Sequence, residues 1–212
     1  PGPNPDEATE RVYYDMLQDY LFFFIRRDAS TLRPYESEDC NDFITISCEL
    51  WLKQNFYFGN APAPDFTIPR KLALGAVERF AVYLLTFCGS QDIQPLETLS
   101  APLFRFIRTC LRFWMTASDW DARLNMVLSI WVTYMQPWLA PKKAAVLFPR
   151  RRAPVDDKKA ADSQYSSVWE PYVVANFAFY TVLLTDFLSL VRGMDLGREG
   201  VGRLERLTAF NQ

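Results

Sequence analysis

Residues 39–52 read DCNDFITISCELWL, and 80 positions later residues 119–132 read DWDARLNMVLSIWV. Asp39, Ile44, Leu50, Trp51 and Leu52 recur in type as Asp119, Leu124, Ile130, Trp131 and Val132. In the first copy Phe43, Ile46, Ser47, Leu50 and Trp51 keep the spacing of a single helix face. Leu124, Val127, Leu128, Trp131 and Met135 do the same in the second. Two such amphipathic helices in one short chain predict an all-α fold of stacked helical hairpins, either α-solenoid-like or an irregular bundle of about six to seven helices. Architectures of this kind serve as binding surfaces more often than as catalytic pockets.

The pattern extends in both directions. Asn4, Pro5 and Glu7 form a helix start, and Val12, Tyr13, Met16, Leu17, Tyr20, Leu21 and Phe24 mark one wide apolar face of a helix running to about Arg27. Pro69 opens a third helix with Leu72, Val77, Phe80, Ala81, Leu84 and Leu85 inward and Gly89 as its stop. A fourth starts at Ser100 and Pro102 and runs through Phe104, Ile107, Leu111 and Trp114. The fifth, capped by Ser118, must end or kink at Pro137. The segment 140–164 turns polar and basic, carrying Lys142, Lys143, Arg150, Arg151, Arg152, Lys158 and Lys159, and reads as a solvated, partly disordered loop. Ser167 to Glu170 then make a capping box, and Tyr172 to Val191 form the longest apolar stretch. Its length suits a bilayer, but Asn176, Thr181, Thr185, Asp186 and Ser189 interrupt it, so a buried central helix is the reading favoured over a span. A short helix from about Gly197 to Phe210 closes the chain.

Composition sets the outer limits. In 212 residues, half are hydrophobic and 16% aromatic, enough for one well-packed domain over residues 1–212. Only 8 glycines disfavour β architectures and phosphate-cradling loops, and a net charge of −2 gives no overall footprint for nucleic acid. Cys40, Cys48, Cys88 and Cys110 fall in apolar helical settings with no C-x-x-C pair, as expected of small buried hydrophobes in a reduced intracellular protein. The chain begins at Pro1 without an initiator methionine, which is the expectation for a piece of a larger protein.

The absence of histidine removes imidazole-based catalysis and histidine-bearing zinc sites. What remains is carboxylate chemistry, a lysine or cysteine nucleophile, or an oxygen-ligated Mg²⁺ ion. Asp15 and Asp19 lie one helical turn apart, Glu38, Asp39 and Asp42 cluster at a helix start, and Asp186 sits in an apolar helix where an ionised carboxylate needs a partner or a shifted pKa. Each has a bland reading, as a solvated face, capping residues, or an acid at the rim of an interface. Trp51, Trp131, Tyr134, Pro137, Trp138 and Trp169 are the candidate core and interface residues. Lys142, Lys143, Arg150, Arg151 and Arg152 are candidates for contact with an anionic membrane surface, since each basic residue near the headgroups contributes about 1 kcal/mol.

The opening helix from Tyr13-Tyr14 to Phe22-Phe23-Phe24-Ile25, the phrase Cys48-Glu49-Leu50-Trp51-Leu52, the run Ile130 to Trp138 with its Gln136-Pro137-Trp138, and Trp169-Glu170-Pro171-Tyr172-Val173 resemble the sphingomyelin phosphodiesterase 4 family, also called neutral sphingomyelinase 3. The resemblance implies a fragment of a larger protein of the endoplasmic reticulum and nuclear envelope, anchored by a membrane segment beyond it. It also implies association with nuclear pore components and magnesium-dependent hydrolysis of sphingomyelin to ceramide and phosphocholine. No catalytic motif of the family falls on these residues, so no catalytic residue is carried over. The two function classes that follow are a helical interaction domain and a metal-assisted phosphodiesterase using Asp15, Asp19 or Asp186.

Overall fold

A computed structural model describes residues 5–25, 38–53, 66–88, 94–114, 122–149 and 164–193. Eight α-helices occur among the described residues: α1 Pro5–Phe24, α2 Glu38–Leu52, α3 Lys71–Cys88, α4 Gln94–Phe113, α5 Ala122–Met135, α6 Ala140–Leu147, α7 Glu170–Ala175 and α8 Phe177–Gly193. Short 3₁₀ turns, Pro137–Leu139 and Ser167–Trp169, lead into α6 and α7. The fold is all-α, as the periodicity predicts.

The helices pack in two layers. In one, α3 lies between α1 on one side and α5 with α6 on the other; in the second, α4 lies between α2 and α8. Alternate helices are thus the closest neighbours, the arrangement of stacked hairpins. The central helix is α3, whose Ala76, Val77 and unbroken run Phe80 to Leu85 are buried. The apolar stretch expected to be central lies instead at the edge. It is broken at Asn176, where α7 and α8 meet at a 60° bend. Asn176 is buried and bonds Tyr172 O through Nδ2 at 2.9 Å, while Ser100 Oγ of α4 donates to its Oδ1 at 2.9 Å. A polar side chain with both ends satisfied fixes the corner.

Three other expectations change. First, the expected loop from Ala140 begins as α6, because Ala140 and Ala144 present methyl-sized buried positions that let this short helix lie close against α3. Second, α4 starts at Gln94 rather than near Ser100 and carries Pro102 inside it. Its buried row Leu96, Leu99, Leu103, Phe106, Ile107 and Cys110 runs through the proline, so tertiary packing outweighs the lost backbone bond. Third, α1 ends at Phe24, short of Arg27. The closing helix expected over 197–210 and the cap residue Ser118 lie outside the described residues. At Pro137 the helix does break: Gln136 N bonds Val132 O and Thr133 O, and the chain turns into the 3₁₀ segment.

Candidate functional site

Trp51 and Trp131, the matched tryptophans of the repeated phrase, fall in opposite layers, α2 in one and α5 in the other. Both are buried, and both reach across to the facing layer. Trp51 donates from Nε1 to Tyr13 Oη of α1 at 3.0 Å and meets Phe80 of α3 edge-on with centroids 5.4 Å apart. Trp131 donates to Phe179 O of α8 at 2.9 Å and packs edge-on to Phe187 at 5.7 Å. The repeat therefore encodes two interlayer wedges without structurally equivalent helices.

Tyr134 is fully buried at the α5/α8 contact, its ring 4.5 Å from Phe179 and 5.7 Å from Tyr172. Tyr172 Oη donates to Tyr134 O at 2.7 Å, and Tyr180 Oη donates to Met135 O. Burial pushes the Tyr134 and Tyr180 hydroxyls up to about 12 and that of Tyr172 well above the usual phenol range. Pro137 is buried; Trp138 packs edge-on to Tyr165 and Trp169 edge-on to Tyr172. Trp51, Trp131, Tyr134 and Pro137 thus belong to the core, and Trp138 and Trp169 sit half-buried at its rim. Cys40, Cys48 and Cys110 are buried and outside any disulfide, with burial raising the Cys48 thiol to about 12.

The basic candidates divide. Lys142 is exposed, but Lys143 points inward, where Nζ bonds Thr133 Oγ1 and Ser129 Oγ and lies 4.0 Å from Glu78 Oε1. Ser129 Oγ in turn donates to Glu78 at 3.0 Å. This network ties α6 to α3 and α5 and lowers the Lys143 pKa through loss of water, so Lys143 is a structural residue and not part of a lipid-facing loop. Arg150, Arg151 and Arg152 lie outside the described residues.

Among the described residues the carboxylates do not assemble. Asp186 takes two guanidinium donors from α4, Arg108 Nε at 3.0 Å and Arg112 Nε at 3.1 Å, which supplies the partner its apolar helix demands. Asp15 and Asp19 stand on α1, in the other layer, and Asp42 is exposed on α2. Among the described residues no group of three or more His, Cys, Asp or Glu side chains is placed to hold a metal ion.

Two features escaped the sequence reading. The first is a cleft of about 430 Å³ between α1, α3 and the end of α6, lined in part by Glu10, Arg11, Asp15, Gln18 and Arg79. Tyr14 crosses it against Gly75, where a Cβ would stand 2.0 Å from the Tyr14 hydroxyl, and the Arg79 guanidinium caps the ring at 3.6 Å. A glycine inside a helix is the sequence signal for such a close approach. The second is a set of outward apolar faces. On α1, Val12, Met16, Tyr20 and Phe23 are 59, 52, 51 and 64% exposed, and on α2 Ile46 and Leu50 also face out. The sequence reading set Val12, Met16 and Tyr20 on one wide apolar face with Leu17 and Leu21, and Ile46 and Leu50 on one face with Trp51; the faces that are buried carry Leu17, Leu21 and Ile25 on α1 and Ile44, Cys48, Trp51 and Leu52 on α2. Since α1 and α2 are the end helices of their layers, one end of the stack presents a row of large apolar side chains.

Over 97 residues, 44% of the chain, the sequence is 32% identical to sphingomyelin phosphodiesterase 4 of Homo sapiens. A match of the same length to the Mus musculus protein of that name is 30% identical. Part of the chain is thus similar in sequence to sphingomyelin phosphodiesterase 4. The matched stretch spans 9% of the human and 10% of the mouse protein. No family model matches the chain, and no solved structure matches it significantly.

Proposed function

We propose that this chain is a helical interaction domain of a protein akin to sphingomyelin phosphodiesterase 4, binding protein partners through the end of its two-layer stack. One observation carries the reading: the end helix α1 turns Val12, Met16, Tyr20 and Phe23 outward at helical anchor spacing, whereas a terminal repeat that met only water would carry a polar outer face. The buried tryptophans and the internal pairing of Asp186 support it, since they commit the aromatic and acidic candidates to structure. Nuclear pore or nuclear envelope proteins are the partners we assign, with the domain on the cytosolic side of the endoplasmic reticulum or nuclear envelope membrane. The phosphodiesterase reading draws on the relatives' name and on no cluster of groups among the described residues. The test uses the purified chain in two assays, binding to isolated nuclear pore proteins and sphingomyelin turnover in mixed micelles with Mg²⁺ or with EDTA. Binding without turnover is the expected result; magnesium-dependent turnover by this chain would overturn the proposal.

A further inference from the structure

The outer face of α8 lies at the opposite end of the stack from α1 and α2. Between Phe177 and Val191 the only charged residue is Asp186, and it is drawn inward to Arg108 and Arg112; Tyr180 donates its hydroxyl to Met135 O, and exposed Arg192 stands in the last turn of the helix. The face that points out carries Phe177, Leu184 and Leu188, which are 63, 45 and 58% exposed. Between them stand Thr181, Thr185 and Ser189, and each hydroxyl donates to the carbonyl four residues back in its own helix, at 3.1, 3.0 and 3.0 Å. Over about 20 Å of helix this face therefore offers no charge and no hydroxyl proton for a partner.

We propose that this face lies on a lipid bilayer, with Phe177, Leu184 and Leu188 in the acyl boundary. Protein interfaces carry roughly one hydrogen bond per 100–200 Å², so a protein partner would be expected to meet unspent polar groups here. A hydrocarbon phase asks for none. Together α7 and α8 have the length and apolarity of a membrane segment, yet they are bent by 60° and the inner side of α8 is committed to α4, so they suit the plane of the interface and not a span. Half-buried Trp169 and exposed Tyr165 precede the corner, residue types that favour headgroup depth. The proposal concerns a different face from the protein-binding end and does not depend on it.

Flotation of the purified chain with neutral phosphatidylcholine vesicles tests this, with Leu184→Glu/Leu188→Glu, Thr181→Leu/Thr185→Leu and Arg150→Glu/Arg151→Glu/Arg152→Glu variants alongside. The wild type is expected to float at low and high salt. The leucine variant loses about tenfold or more in partition, the threonine variant gains, and the arginine variant is unchanged. Circular dichroism checks each fold, and the threonine variant's gain cannot arise from misfolding if its helicity and melting match the wild type. No flotation of the wild type, flotation confined to anionic vesicles at low salt, or equal partition of all variants would overturn the proposal. So would vesicle-free self-association abolished by the leucine substitutions, which would make a second copy the occupant.

Discussion

Trp51 and Trp131 hold the layers together from opposite sides, each with its indole N–H spent on a group of the facing layer. Truncation to alanine removes a large buried ring and leaves a cavity between layers, so Trp51→Ala or Trp131→Ala should cost about 3–5 kcal/mol in denaturant unfolding. An unchanged midpoint would place these rings outside the core. The buried phenols make a second prediction. Tyr134 and Tyr180 titrate near 12 in the folded chain against an ordinary 10.0, so the folded state holds these protons more tightly than the unfolded one. Their contribution to stability is complete below pH 10 and is lost as pH rises toward 12. Lys143, whose pKa is lowered, acts with the opposite sign below its ordinary 10.5. In an alkaline titration Tyr134→Phe/Tyr180→Phe should therefore remove tyrosinate absorbance from the phase that rises together with loss of helicity; its removal from the earlier phase, in a chain that stays helical, would contradict the packing described. At this scale much was legible. A lone Asp186 in an apolar run announces a need for partners, though Arg108 and Arg112 lie more than 70 positions away and no spacing rule could select them.

Among the elements, α8 depends on α4 through that triad. Asp186 is 13% exposed and its arginines 37 and 50%, so the pairs are worth more than surface ion pairs but remain partly wet. Asp186→Asn is expected to destabilise by about 1–2 kcal/mol and to weaken protection of α8 in hydrogen exchange before that of α3. Uniform loss of protection across α3 and α8 would mean the two layers open as one unit. The helices themselves were readable because 3.6-residue periodicity records which side chains share a face. It does not record what covers that face. Val12, Met16, Ile46 and Leu50 belong to the apolar pattern of their helices yet point outward, and the hydropathy of residues 172–191 described an edge helix with one open side as well as it would have described a buried centre. For α6 the error ran the other way: the neighbouring lysines and arginines read as a solvated loop, while Ala140 and Ala144 were too small to signal a helix docked on α3.

At the scale of the whole molecule, two layers of alternating helices leave two open ends among the described residues. One end, formed by α1 and α2, presents large apolar side chains set among polar ones such as Asp19, Asp42 and Glu49; the other, formed by α8, presents a face without charge from Phe177 to Ser189, ahead of exposed Arg192. That difference underlies the two proposals, protein at the first end and lipid at the second, an arrangement suited to a domain that holds partners beside a membrane. The measurement that bears most directly on the interaction role is made on Met16→Glu/Phe23→Glu, comparing its thermal midpoint and its binding of nuclear pore proteins with those of the wild type. Both side chains are more than half exposed, so the midpoint should fall by no more than about 2 °C while binding drops by about tenfold or more. Undiminished binding by the folded variant, or a collapse of the midpoint showing that the stripe is core, would contradict the account.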